Sequence, residues 1–194
     1  MCGIVGYIGK KQAAPIILDG LSKLEYRGYD SAGMAVFDGE KINIEKAVGR
    51  LKVLENLTHG GETMPGHVGI GHTRWATHGA PSDINAHPHS NRAKTIAVIH
   101  NGIIENYIPL RKKLLDKGYE FVSETDTEVL VQLLDYYYKG NPLEAITKVL
   151  HRVQGSYGLG IMFADHPDEI YAARKDSPLI VGESEEGCFI ASDV

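Results

Sequence analysis

The sequence has little cysteine and no long apolar run. Only two cysteines, Cys2 and Cys188, occur among 194 residues, and two thiols at opposite ends of the chain fit a reducing compartment better than a disulfide-stapled secreted domain. No apolar stretch approaches the roughly 20 residues that a membrane-spanning helix needs. The short apolar start lacks the basic residues of a signal peptide. We therefore expect a cytoplasmic protein without a membrane partner.

An excess of positive charge is also lacking. Lys and Arg number 20 against 25 Asp and Glu, which gives a formal net charge of −5. Nucleic-acid binding needs a concentrated basic surface, so no nucleic-acid partner is expected. The histidines do not have the spacing of a zinc motif, and the glycine-rich stretches 66–71 and 155–160 match no phosphate-binding loop. We therefore predict neither a metal nor a cofactor.

The apolar patterns that are present predict both strands and helices. Hairpins at both ends of the chain with helices between them favour antiparallel sheets covered by helices, an α+β layered domain. Because the chain stops directly after a predicted strand, we expect it to be a piece of a longer protein. Strands are predicted at 2–8, 32–37, 41–46, 68–73, 95–100, 157–163, 170–174, 179–181 and 188–191, helices at 15–24, 106–117, 127–139 and 142–152, and a long loop at 75–94.

Cys2 directly follows the initiator methionine. Removal of Met1 would leave a thiol and a free α-amine on one residue, with reference pKa values of about 8.5 and about 7.7–8.0. The amine can then accept the thiol's proton near neutral pH, which is a known way of activating an N-terminal nucleophile. Position alone leaves a second interpretation open, in which Cys2 is a small buried residue on an edge strand.

Polar residues in the middle of the chain suit an amino-acid substrate. The Asn101 amide and the Gly102 N–H follow a predicted strand and can donate to an oxyanion, although Asn-Gly is also the commonest pair in tight turns. Arg74 ends another predicted strand and suits a carboxylate; a surface ion pair is its plainer role. Asp126 can hold an ammonium group, and helix capping is its plainer role.

Six motifs, in order along the chain, together resemble a known family. They are similar to the N-terminal glutaminase domain of the glutamine–fructose-6-phosphate aminotransferases. The resemblance covers essentially the whole chain, without a departure at a motif position. The motifs are MCGIVG at 1–6, EYRGYDSAG at 25–33, HTRWATHG at 72–79, NAHPH at 85–89, HNGIIEN at 100–106 and SETDTEV at 123–129.

The resemblance implies an N-terminal-nucleophile hydrolase fold, a four-layer αββα sandwich with two stacked antiparallel sheets between helix layers. Residues 1–194 would form one class II glutamine amidotransferase (glutaminase) domain, truncated from a longer chain that carries a C-terminal sugar-phosphate isomerase region. The resemblance also implies roles for individual residues. These are Cys2 as nucleophile, Asn101 and Gly102 as oxyanion hole, Arg74 and Asp126 for the glutamine carboxylate and ammonium, Thr77 and His78 along the pocket, Trp75 on a closing loop, and Arg27 near the N-terminus.

The implied reaction is hydrolysis of L-glutamine to L-glutamate and ammonia through a Cys2 thioester. In the whole enzyme, the ammonia would convert fructose 6-phosphate to glucosamine 6-phosphate, and fructose 6-phosphate would bind only through the missing C-terminal region. We expect the full-length protein to form a homodimer.

Two alternatives remain at this point. Glutaminase domains of amidophosphoribosyltransferase, asparagine synthetase and glutamate synthase share the Cys2 start and an Asn-Gly pair. The stretches 26–29 and 74–79 favour the sugar enzyme, and asparagine synthetase typically has Arg-Gly-Pro-Asp where this chain has Arg-Gly-Tyr-Asp at 27–30. The second alternative is a non-catalytic glutamine- or glutamate-sensing module that retains Met1.

Overall fold

The computed structural model describes residues 2–193, and its strands form two antiparallel sheets. One sheet has six strands in the order β3-β2-β4-β1-β10-β9. Its central strand β1 pairs with β4 on one side and with β10 on the other. The strands are β1 (Gly3–Gly9), β2 (Ser31–Phe37), β3 (Ile42–Val48), β4 (Val68–Arg74), β9 (Ile180–Ser184) and β10 (Gly187–Ala191).

The second sheet has four strands in the order β5-β6-β7-β8. Its longest pairing joins β6 to β7, with Ile96 opposite Phe163 at one end and Ile104 opposite Gly155 at the other. The strands are β5 (His89–Ser90), β6 (Ile96–Ile104), β7 (Gly155–Phe163) and β8 (Tyr171–Lys175).

Helices cover the outer face of each sheet. Helices α1 (Ala13–Leu24) and α2 (Leu51–Leu57) pack on the six-stranded sheet. Helices α3 (Tyr107–Leu115), α4 (Thr127–Tyr137) and α5 (Pro142–Leu150) pack on the four-stranded sheet. Within residues 2–193, no helix is long and apolar enough to cross a membrane.

The side-chain alternation of β1 shows how the layers are joined. Val5 and Tyr7 are buried on the helix side, whereas Ile4 is buried between the sheets, as the two-residue period of a strand requires. In the same layer between the sheets, Ile99 of β6 packs with Ile70 of β4. The order helix, sheet, sheet, helix is therefore the predicted four-layer αββα architecture.

Most predicted elements are present, and four details differ. The strand predicted at 95–100 continues to Ile104, so Asn101-Gly102 lies inside a strand rather than after one. Helix α2 and strand β5 were not predicted. The strand that follows Cys2 is central in its sheet rather than at an edge. Cys2 and Cys188 are both free thiols.

Candidate active site

The two sheets bring the predicted site residues to one cavity of about 340 Å³. Cys2 directly precedes β1, and Gly3 pairs with Thr73 of β4, so Arg74 at the end of β4 lies next to Cys2. Asn101 reaches the same cavity from β6 of the other sheet. Every site residue singled out from the sequence lines this cavity: Cys2, Arg27, Arg74, Trp75, Thr77, His78, Asn101, Gly102 and Asp126.

The Cys2 thiol is bonded to backbone rather than to a side-chain base. The Trp75 N–H donates to Cys2 Sγ at 3.1 Å, and Sγ lies 3.5 Å from the Trp75 carbonyl oxygen. Burial raises the pKa of the Cys2 thiol, and the Trp75 N–H acts in the opposite direction. A thiol with a raised pKa is largely protonated at neutral pH, so its use as a nucleophile requires a base.

Asn101 connects the second sheet to the start of the first. Its Nδ2 donates to the Cys2 carbonyl oxygen at 2.9 Å, and its Oδ1 lies 2.9 Å from Nε2 of His72. The neighbouring Gly102 has a φ of +120°, and a Cβ there would lie 2.2 Å from the Ser156 carbonyl oxygen. Only glycine fits this position. The alternative of a tight turn at Asn101-Gly102 is wrong, because β6 runs through both residues.

Arg74 is buried, 3 % exposed, and organises the loop that follows it. Its guanidinium donates to the carbonyl oxygens of His78, of Gly79 at 2.9 Å and of Ala80 at 3.4 Å. The alternative interpretation of Arg74 as half of a surface ion pair is therefore wrong, because the side chain is buried. Because a guanidinium carries five N–H donors, these three carbonyls leave donors that can face the cavity.

Asp126 precedes α4 but does not cap it with its side chain. Instead, its Oδ2 accepts a hydrogen bond from the Ile104 N–H at 2.7 Å, and its Oδ1 lies 3.8 Å from His78 Nδ1. The side chain is buried and lines the cavity. The Asp126 carboxylate therefore does not cap the helix. One of its oxygens bonds to the Ile104 N–H, and the other lies near His78.

The remaining predicted residues lie around the cavity rim. Trp75 is 48 % exposed and meets Tyr29 edge to face, with ring centroids 5.3 Å apart. Arg27 is buried, and its Nη1 donates to the Ser192 carbonyl oxygen at 3.2 Å and to Asp193 Oδ2 at 2.8 Å. Arg27 therefore ties the turn after α1 to the segment that follows β10.

A cluster of buried histidines at the cavity, of which His87 and His100 line its wall, was not predicted from the sequence. His87 and His100 both bond to the Thr127 hydroxyl, at 2.9 Å and 2.8 Å, and His89 bonds to the Thr125 hydroxyl at 2.9 Å. Burial lowers the pKa of each, and it lowers the pKa of His72 to about 3. All four imidazoles are therefore neutral near pH 7. Among residues 2–193, no group of three His, Cys, Asp or Glu side chains is placed to hold a metal ion.

Part of the cavity wall comes from residues that carry no recognisable motif. Ser156 is the second residue of β7, and Asp176, Ser177 and Pro178 follow β8. They reach the cavity because β7 pairs with β6 on one side and with β8 on the other. Asp30 belongs to the motif at 25–33, but the sequence indicated no role for it. Its carboxylate accepts a hydrogen bond from the Ala76 N–H and so holds the loop beyond Arg74.

Known proteins resemble this chain over its whole length. Residues 72–194 match a family model described as a glutamine amidotransferase domain. The whole chain is 63 % identical to a glutamine–fructose-6-phosphate aminotransferase (isomerizing) of Clostridium acetobutylicum, of which it covers 32 %. It is 50 % identical to the enzyme of the same name from Thermococcus kodakarensis, again covering 32 %. The chain thus spans about a third of the length of the curated relatives it matches.

Solved structures agree with the fold. The glutamine phosphoribosylpyrophosphate amidotransferase of B. subtilis, in complex with ADP and GMP, superposes with a TM-score of 0.86 at 28 % identity. The match covers 98 % of this chain and 42 % of that one. A structure described as the allosteric regulatory enzyme of purine biosynthesis also superposes with a TM-score of 0.86, at 30 % identity.

Proposed function

The chain belongs to the glutamine amidotransferase domain family, and on that premise we propose that it hydrolyses L-glutamine to L-glutamate and ammonia with Cys2 as its nucleophile. Its fold is the N-terminal-nucleophile hydrolase fold expected from the sequence. The observation that carries the proposal is the convergence, in one cavity, of the Cys2 thiol, the Asn101 amide and the side chains of Arg74 and Asp126.

The first chemical step is transfer of the thiol proton. The hydrogen-bond partners of Cys2 Sγ within residues 2–193 are the backbone N–H and carbonyl of Trp75, so no side-chain base is in place. We assign the role of base to the α-amine that Cys2 has once Met1 is removed. Met1 itself lies outside the described residues. The resulting thiolate attacks the side-chain amide carbon of glutamine and forms a tetrahedral intermediate.

Asn101 and Gly102 then stabilise the oxyanion of that intermediate. One Nδ2–H of Asn101 donates to the Cys2 carbonyl, so the amide lies beside Cys2. The other Nδ2–H, with the Gly102 N–H, can donate to the oxyanion. The intermediate collapses, the protonated amine returns its proton to the departing ammonia, and a Cys2 thioester remains. Water hydrolyses the thioester, releasing glutamate and restoring the thiol.

Arg74 and Asp126 would bind the two charged ends of glutamine. The Arg74 guanidinium retains donors for the α-carboxylate, and the Asp126 carboxylate offers one oxygen for the α-ammonium. Both side chains are fixed by backbone hydrogen bonds, so little ordering is needed on binding. Thr77 and His78 line the pocket between them, and Trp75 lies at its exposed rim.

We propose that residues 1–194 act as the glutaminase part of a larger amidotransferase. The names of the curated relatives contain fructose 6-phosphate, and we propose it as the acceptor. The ammonia would convert it to glucosamine 6-phosphate, and an isomerase region outside this chain would bind the sugar. Identity of 50–63 % to those relatives, against 28 % to the phosphoribosylpyrophosphate amidotransferase, favours a sugar acceptor. Cytoplasmic location and a homodimeric full-length protein belong to the same proposal.

The decisive experiment compares the N-terminally processed chain with a variant that keeps an uncleaved extension before Cys2. Mass spectrometry establishes the N-terminus, and glutamate release measures activity. Loss of general-base assistance should lower kcat by about 10²–10⁴-fold, and Cys2→Ala in the processed chain should abolish thioester formation. Cys188→Ala is the matched control, because this exposed thiol lies outside the cavity. Equal rates with and without the extension would show that the amine is not the base, and an inactive processed chain would favour a non-catalytic glutamine-binding module.

A further inference from the structure

The His72 side chain holds the Asn101 amide from behind the cavity. His72 lies on β4 of the six-stranded sheet, is fully buried, and reaches across to β6 of the four-stranded sheet. Its Nε2 lies 3.1 Å from the His100 carbonyl oxygen and 2.9 Å from Asn101 Oδ1. The contact therefore crosses the layer between the two sheets and ends on the side chain that bonds to Cys2.

The His100 carbonyl determines which nitrogen of His72 carries the proton. A carbonyl oxygen only accepts hydrogen bonds, and a neutral imidazole has one N–H donor. Nε2 must therefore be protonated to bond to the His100 carbonyl. The atom of Asn101 that faces this Nε2–H must accept, so it is the amide oxygen. The amide nitrogen then faces the Cys2 carbonyl, which also accepts only.

The neutral state of His72 follows from its surroundings. Burial lowers the pKa of its imidazole to about 3, and Nδ1 has no hydrogen-bond partner within residues 2–193. With Nδ1 unprotonated, the ring has a single donor, directed at two oxygens. The imidazole therefore presents one fixed hydrogen-bond pattern to Asn101 over the pH range in which a thiol nucleophile works.

The orientation of the amide matters because its two ends have nearly the same shape and opposite hydrogen-bonding character. In the reversed orientation, Oδ1 would face the Cys2 carbonyl oxygen and the developing oxyanion, and two acceptors would oppose each other. Nothing in the covalent structure of asparagine prevents this reversal. The restraint has to come from neighbours: the Cys2 carbonyl accepts from the nitrogen end of the amide, and the His72 Nε2–H donates to its oxygen end.

We propose that His72 is a positioning residue that keeps the donor end of the Asn101 amide directed at the reacting atoms. This inference rests on the proposed glutaminase function and adds a residue to it. His72 is not among the residues that line the cavity, and within residues 2–193 it makes no hydrogen bond to Cys2. It acts only through Asn101, and that property separates it experimentally from a residue that merely supports the fold.

The test is a double-mutant cycle on the processed chain, with glutamate release as the assay. His72→Leu removes the donor, and we expect kcat to fall by about 10-fold, the order of one lost hydrogen bond, with KM changing by less than about twofold. His72→Gln places an N–H near the position of Nε2 and should restore kcat to within about threefold of the original chain. His151→Leu, at an exposed histidine after α5, is the control and should change neither constant.

The Asn101→Ala background separates positioning from general support of the fold. There, His72→Leu should change kcat by less than about twofold, because the group through which it acts is gone. An equal loss of kcat on both backgrounds, or no loss in the original chain, would overturn the inference. Activity of the processed chain that persists in Cys2→Ala would instead overturn the proposed function, so the two failures are distinguishable.

A second measurement does not depend on whether the variants fold. Nitrogen-15 NMR of the imidazoles in the unmodified chain reports the tautomer of each histidine. We expect His72 to be neutral and protonated at Nε2 at pH 7. A His72 that is protonated at Nδ1, or charged at that pH, would contradict the orientation argument directly.

Discussion

Acid should destabilise this protein through its buried histidines. His72, His87 and His89 are each at most 5 % exposed, and burial lowers the pKa of each far below the usual value. An unfolded histidine takes up a proton near pH 6.5. Below that pH, the unfolded chain binds more protons than the folded one, so the free energy of unfolding falls as the pH falls.

The size of the effect follows from the number of histidines. Between pH 7.5 and 5.5, one histidine that stays neutral in the folded state and has an unfolded pKa near 6.5 costs about 1.4 kcal/mol. Three such residues cost about 4 kcal/mol, which is a large part of the 5–15 kcal/mol that typically holds a domain folded. His100 contributes less than the other three, because the Asp126 carboxylate raises its pKa against the effect of burial.

The assay is urea denaturation followed by circular dichroism at pH 7.5, 6.5 and 5.5. His87→Gln removes one buried site, so it should reduce the loss of stability over this range by about 1.4 kcal/mol, whatever it does to stability at pH 7.5. His151→Gln, at an exposed position, should leave the pH dependence unchanged. A total loss below about 1 kcal/mol in the original chain, or NMR titration of these histidines near pH 6.5, would refute the reasoning.

Three further predictions concern catalysis. Asn101→Ala should lower kcat by about 10²–10³-fold with little change in KM, because the lost donor acts on the transition state; an unchanged kcat in a folded variant would remove Asn101 from the oxyanion hole. N-acetylglutamine should be a poor substrate in an ammonia-release assay, because it lacks the ammonium that Asp126 would bind; turnover equal to that of glutamine would make this assignment wrong. The 194-residue chain should hydrolyse glutamine without aminating fructose 6-phosphate, and chromatographic detection of glucosamine 6-phosphate would contradict this division of labour.

Local sequence patterns predicted the elements whose structure depends mainly on residues close together in the chain. The face formed by Ile17, Leu18, Leu21 and Leu24 is buried in α1, as its helical period indicates. Asn141 caps α5 by accepting the Glu144 N–H at 3.1 Å. Asp38-Gly39, a pair typical of hairpin turns, lies between the paired strands β2 and β3. In each case, the determining contacts lie within a few residues along the chain.

Elements that depend on distant partners could not be predicted in the same way. The extension of β6 through Asn101 to Ile104 is fixed by pairing with residues 155–158 of β7, more than 50 positions away. Nothing near Asn101 in the sequence indicates that pairing, and the Asn-Gly pair locally favours a turn. The burial of His87 and His89 could not be predicted for the same reason. A loop rich in polar residues and histidines is expected to be exposed, and the partners that bury these two side chains, Thr125 and Thr127, are distant in the sequence.

The candidate site shows the same division between local and distant determinants. Residue types and motifs identified Cys2, Arg74, Asn101 and Asp126, because each type suits one part of amide hydrolysis. The hydrogen bonds that orient these side chains come from elsewhere. The Asp126 carboxylate is held by the Ile104 N–H, and the Arg74 guanidinium is held by carbonyls of the following loop. The sequence motifs contain the proposed reacting groups, whereas the groups that orient them are brought together only by packing.

The position of the site also explains why its geometry depends on the core between the sheets. Cys2 precedes the central strand of one sheet, and Asn101 lies on a central strand of the other. Their separation is therefore set by the packing of Ile4, Ile70 and Ile99 in the layer between the sheets. A change of about 1 Å in that layer would shift the donor relative to the thiol, and small misplacements of this kind can cost about 10²-fold in rate. The His72–Asn101 hydrogen bond spans this same layer, so it links the alignment of the two sheets to the orientation of the group that would stabilise the oxyanion.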